Sequence, residues 1–135
     1  MKDLLDTNTC VGWLRFNQPI VVARIQKESP SDIVLCSVVV AELIYGAEHS
    51  APAHRAHNHA RVQQLRSLFL SLPFDDTAAE HYGQVRAVLA ASGLLIGPND
   101  LMIAGIAVAN RLVLVTHNTA EFGRVPGLLL EDWEL

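Results

Sequence analysis

The sequence predicts an α/β fold: a central, mainly parallel sheet covered by helices on both faces. Short apolar runs rich in β-branched residues alternate with longer amphipathic segments along the whole chain, and parallel strands joined by crossover helices are the arrangement that satisfies such alternation. The chain has 135 residues, of which 50% are hydrophobic and 18% charged. That is the size of one ordinary domain, read here as 1–135, with too much apolar side chain to remain disordered.

Residues 2–5 form the first strand, ended by Asp6-Thr7-Asn8, and residues 11–16 and 21–27 read as helices separated by Pro19. After the turn Pro30-Ser31-Asp32, residues 33–36 read as a buried strand, with Ser37 as N-cap of a helix to about residue 49. Residues 53–70 carry an amphipathic helix with Val62, Leu65 and Phe69 on one stripe, followed by an extended piece at 72–74. Asp75-Asp76-Thr77 opens a helix over 78–91 that Gly93 closes. Gly97-Pro98 then opens a helix to about residue 110 that is apolar nearly all round and so is expected to be central. Residues 112–115 are the clearest strand, 116–123 a polar loop, and 128–130 the last strand.

The apolar runs at 33–41 and 101–109 fall far short of the roughly 18 residues of a membrane span. Lys2 is followed at once by Asp3 and Asp6, which argues against a secretory leader and for a cytoplasmic protein. Cys10 and Cys36 lack C-x-x-C spacing and read as buried, reduced thiols. A formal net charge of −4 does not advertise a nucleic-acid binder, so any such contact must be local or metal-mediated.

Function is sought at the carboxyl ends of the strands, where open α/β sheets bind ligands. Asp6 follows the first strand directly. Glu42 lies mid-helix after the second, with Val38, Val39, Tyr45 and Gly46 at helical spacing three and four, hence on an apolar face. Asp100 sits in the first turn of the apolar helix, and Thr116, Asn118 and Glu121 follow the strand at 112–115. Taken singly, Asp6 reads better as an N-cap and Asp100 as a complement to the helix dipole. Three acids converging from separate segments are better explained by a divalent cation. Hard oxygen donors without Cys favour Mg²⁺ or Mn²⁺, and phosphodiester hydrolysis is the natural chemistry of such a site. Thr7, Asn8 and Thr116 have the short polar side chains that orient carboxylates, though turn and cap chemistry explains them as well.

The blocks LLDTN (4–8), SVVVAELIYGA (37–47), GPNDLMIA (97–104), LVTHNTAEF (114–122), RVPGL (124–128) and EDW (131–133) together resemble the VapC-type PIN-domain toxins, in that family's order and spacing. The GPNDLMIA stretch and the carboxyl-terminal blocks are most similar to the subgroup that cleaves initiator tRNA. The resemblance implies a PIN-like α/β/α sandwich and a Mg²⁺- or Mn²⁺-dependent endoribonuclease. Asp6, Glu42 and Asp100 would be its metal-binding and catalytic acids. Asn118 stands where many PIN domains carry a fourth acid, with Glu121 as an outer carboxylate. It further implies a VapB-type antitoxin partner, contact with operator DNA only through that antitoxin, and a homodimer.

The stretch 49–66, with His49, His54, His57, His59, Arg55, Arg61 and Arg66, reads as a solvated helix face, with an RNA or antitoxin groove as the alternative. Trp13 and Phe16 read as core or dimer contacts rather than base-stacking platforms, and Trp133 as a tether for the last strand. Two rival functions are a PIN fold that binds RNA or antitoxin without efficient catalysis, supported by Asn118, and a flap-type DNA nuclease, which would need helical arches that this chain lacks.

Overall fold

The strand β1 (Asp3–Leu5) lies at the centre of a five-stranded sheet in the computed structural model, which describes residues 1–135. Around it stand β2 (Ile33–Cys36), β3 (Leu70–Leu72), β4 (Val113–Val115) and β5 (Leu129–Glu131), in the order β3-β2-β1-β4-β5. Every neighbouring pair is parallel, so the expected mainly parallel sheet is wholly parallel. Consecutive residues of β1 and β2 are all buried. Both faces of these central strands are therefore covered, as their unbroken apolar sequence requires.

Seven helices connect the strands: α1 (Thr7–Arg15), α2 (Pro19–Lys27), α3 (Ser37–His49), α4 (Pro52–Leu68), α5 (Asp76–Ala91), α6 (Pro98–Ala109) and α7 (Thr119–Phe122). Helix α1 begins four residues before the apolar periodicity does, because the Asp6 carboxylate accepts from the Thr9 backbone N–H at 2.8 Å and caps the helix immediately after β1. Cys36, rather than Ser37, occupies the N-cap of α3. The Ser37 hydroxyl instead accepts from the Phe74 N–H at 3.2 Å. Helix α4 stops at Leu68 and β3 follows at 70–72, where pairing with β2 fixes the register Val34↔Leu70, and not at 72–74. The expected polar loop after β4 contains α7, a single turn too short to leave a periodic signature. Gly93 closes α5 with φ +68, as its position predicted.

Leu4, Leu5, Leu35 and Leu114 form the fully buried centre of the core, and Val62, Leu65 and Phe69 pack α4 onto it. Cys10 and Cys36 are free and buried. Trp133 is buried under the Arg24 guanidinium, 4.7 Å from its ring centroid, and so holds the chain end against α2. No helix is long and apolar enough to cross a membrane.

Helix α6 packs against α5 at Gly105, where a Cβ would meet the Ala78 carbonyl oxygen at 2.8 Å and the Tyr82 backbone nitrogen at 3.3 Å. Both neighbours are backbone and cannot rotate away. Gly105→Ala is therefore expected to force the helices apart and destabilise the protein by about 1–3 kcal/mol despite the better helix propensity of alanine, which urea denaturation would measure as a lowered midpoint.

Candidate active site

Parallel pairing puts the carboxyl ends of all five strands at one edge of the sheet. From β1 the chain builds outward through β2 and β3 on one side, then through β4 and β5 on the other. The crevice beyond β1 and β4 is therefore the topological switch point. Asp6 stands there, 4% exposed, with its backbone N–H donating to the Val115 carbonyl at 3.0 Å. Of the two functions foreseen for its carboxylate, the N-cap bond to Thr9 is present and engages Oδ1, which leaves Oδ2 without a protein donor.

Glu42 enters from α3 and is half-buried, with its Oε1 accepting the Thr7 hydroxyl at 2.6 Å. Its surroundings are less apolar than helical spacing suggested. Val39 is fully buried, but Tyr45 is 67% exposed and Gly46 is exposed, so Glu42 marks the border between core and crevice. Asp100 projects from the first turn of α6 and is half-buried. Burial raises its carboxyl pKa, followed by repulsion from Glu42, Glu121 and Asp6, and together these push it up to about 6. Four acids from four segments thus share one electrostatic environment.

The remaining polar residues brace this cluster. Asn118 precedes α7, its backbone N–H donates to Thr116 Oγ1 at 2.9 Å, and its Nδ2 donates to Glu121 Oε2 at 3.2 Å. Thr116 is fully buried. Asn8, Asn118 and His117 line a second, polar cavity of about 390 Å³. The sequence reading did not single out His117, whose Nδ1 lies 2.9 Å from Asp132 Oδ2 and 3.5 Å from Glu134 Oε2. The hydrogen bond to Asp132, then the charges of Glu134 and Asp132, raise its pKa. An ion pair between this loop and the chain end accounts for the group.

None of Asp6, Glu42, Asp100 or Glu121 forms an ion pair with Lys, Arg or His. Crowded carboxylates with no protein cation match the donor set of a hard divalent ion. No three of their oxygens lie within 4.8 Å of one another, a spacing that only the His117, Asp132 and Glu134 group meets. An ion held here would therefore meet at most two of these carboxylates directly and the others through water. Thr7 then matters through Glu42. Thr7→Val removes the donor while keeping the shape, and is expected to weaken divalent-ion affinity or turnover about 10-fold or more, as a Mn²⁺ titration would read.

A parallel sheet that gathers acids at its switch point in this way is the architecture of PIN-domain proteins, and the family model for the PIN domain matches residues 4–128. The chain is 43% identical over 133 residues to the tRNA(fMet)-specific endonuclease VapC of Salmonella typhimurium, covering 98% of each, and 34% identical to Ribonuclease VapC2 of Rickettsia felis, covering 97% of each. Its fold superposes on the crystal structure of DNA-bound VapBC from Salmonella typhimurium with a TM-score of 0.92, at 41% identity and 98% coverage of both chains. The chain belongs to the VapC family of PIN-domain proteins.

Proposed function

We propose that this protein is the ribonuclease toxin of a VapBC-type toxin–antitoxin pair, and that it hydrolyses RNA phosphodiester bonds with Mg²⁺ or Mn²⁺. The observation that carries this reading is the set of acids at the switch point without a protein counter-charge. Family membership supplies the reaction class.

Asp6, Glu42 and Asp100 are assigned as the catalytic and metal-holding acids. When bound, the ion supplies Lewis acidity toward a phosphate oxygen and lowers the pKa of a coordinated water. The chain's own residues fix the geometry. Asp6 is immobilised by its cap bond and its tie to β4, and Glu42 is held in one orientation by Thr7. Asn118 keeps Glu121 directed into the crevice, so a fourth carboxylate is present even though position 118 is an amide. That arrangement favours catalysis over a purely binding role. Thr116 anchors the loop that carries both residues, and Asn8 extends the polar wall beside them. In the reaction, water attacks phosphorus, the bond to the leaving ribose oxygen breaks, and that oxygen takes up a proton.

Initiator tRNA is the substrate proposed, by likeness to the 43% identical relative. The partner is a VapB-type antitoxin that supplies any contact with operator DNA, and the protein acts in the cytoplasm as a homodimer. Incubating the antitoxin-free protein with purified initiator and elongator tRNAs in Mg²⁺ is expected to give one discrete cut in the initiator species. Equal fragmentation of all tRNAs would overturn the substrate, and intact RNA throughout would overturn the nuclease.

A further inference from the structure

A cavity of about 630 Å³ lies between α1, α3 and α4; beside apolar side chains of these helices, its lining includes Thr7, Glu42, Arg15, Phe16, His57 and Arg61. One carboxylate, Glu42, and two guanidinium groups, Arg15 and Arg61, therefore share this cavity, on a chain of net charge −4. A peptide acid or a lone phosphate would not need both kinds of charge. A polyanion with one phosphate at the acid cluster, which would carry the divalent ion of the proposed reaction, and a neighbouring phosphate at Arg15 meets both with the correct sign.

Phe16 is the anomaly in that lining. It occupies the left-handed C-cap of α1 with φ 52, where glycine or asparagine is the usual choice, and it leaves 57% of its surface in solvent. A bulky aromatic residue is thus placed where backbone strain and exposed apolar area both disfavour it, a combination that persists where function requires it. It is no core residue, in contrast to Trp13, which is 6% exposed.

Helix α4 is largely the solvated face its sequence suggested, with His54, Arg55, His57 and Arg66 exposed, but Arg61 is engaged. The Arg61 guanidinium stands 4.7 Å from the Trp13 ring centroid and 4.8 Å from that of Phe16, and its Nη2 donates to the Leu14 carbonyl at 3.2 Å. Arg61 thereby ties α4 to the end of α1 and props the Phe16 ring from one side.

We propose that the exposed Phe16 ring, braced by Arg61 and Trp13, is a stacking platform for an unpaired nucleobase of the RNA substrate, with Arg15 holding an adjacent phosphate. This rests on the ribonuclease reading and adds a binding subsite to it. Base–aromatic stacking tolerates any base, so the platform holds a single-stranded segment in the groove without dictating its sequence.

The test is stopped-flow binding in Mg²⁺, read before cleavage, of single-stranded oligoribonucleotides carrying 2-aminopurine at one position at a time, whose fluorescence falls on stacking. The protein is expected to quench one or two adjacent positions. Phe16→Ala should lose that quench and bind about ten-fold more weakly, whereas Phe16→Trp should retain both. Arg15→Ala should keep the quench and flatten the slope of log affinity against log salt by about 0.7. Quenching unchanged in Phe16→Ala, no RNA binding by the unaltered protein, or loss of quench explained by loss of a dimer in sedimentation would each overturn the platform. If Phe16→Ala spares RNA binding but abolishes inhibition by antitoxin, the groove belongs to the antitoxin instead. Failure of the ribonuclease reading is separately visible, as intact quenching with no RNA cleavage in Mg²⁺.

Discussion

Asp6→Asn is expected to lower RNA cleavage by roughly 100-fold or more while leaving the fold in place. Losing an outer partner of a metal ligand costs about 10- to 100-fold, so losing a ligand's own charge should cost at least the upper figure. The fold is spared for a specific reason. Asp6 caps α1 through one oxygen that accepts from the Thr9 N–H, and an asparagine side-chain oxygen makes the same bond with equal preference. Asp6→Ala would confuse the two roles, since it also removes the cap, at about 1 kcal/mol. Unchanged thermal unfolding together with lost turnover in Asp6→Asn therefore isolates the charge. Full activity in that variant would remove Asp6 from the site.

Asp100→Asn is expected to inactivate the protein by a similar factor and at the same time to stabilise it in the absence of divalent ions. The Asp100 pKa is raised by burial first and then by Glu42, Glu121 and Asp6, to about 6. A raised carboxyl pKa makes the folded state hold its proton more tightly than the unfolded chain does. The associated stability is complete below pH ~4 and is lost as pH rises through about 6. Above that pH the ionised Asp100 opposes folding, and the neutral asparagine does not. Discounted for solvent screening, the gain is about 1 kcal/mol, or a few degrees in Tm. It should vanish at pH 4, where both proteins carry a neutral side chain at this position. Added Mn²⁺ should raise the Tm of the unaltered protein by binding only the folded state, and should do so far less for Asp100→Asn. A variant less stable than its parent at pH 7 in EDTA would show that Asp100 is a structural acid.

Much of this was legible in the sequence because the relevant signals are local. β-Branched runs such as Ile33-Val34-Leu35 mark buried strands, and Gly97-Pro98 marks the start of α6, so the chain order of elements and the parallel sheet followed. Asp6, Asp100 and Asn118 stood out because each lies within a residue or two of a strand end or helix start. The start of α1 did not, since a capping carboxylate can open a helix well before its apolar stripe begins. Glu42 was found for a partly mistaken reason: its helix neighbours Tyr45 and Gly46 face solvent, which only packing decides. Asp3 was missed altogether. It is fully buried in β1 and its pKa is raised mainly by burial, yet it lies at the start of the strand, among Lys2, Glu131, Glu28 and Arg24. Apart from the neighbour Lys2, these groups reach Asp3 from distant parts of the chain, which spacing along the sequence does not reveal. The brace formed by Arg61 over Trp13 and Phe16 was hidden for the same reason, since it joins residues 45 or more apart in sequence.

The proposed function makes the acids gathered at one sheet edge the centre of a metal-dependent ribonuclease. Its most direct test is cleavage of total tRNA by the purified, antitoxin-free protein in Mg²⁺, in EDTA, and in Mg²⁺ with Asp6→Asn. The account predicts a discrete product in the first reaction and none in the other two. Cleavage that survives EDTA, or survives Asp6→Asn, would contradict it.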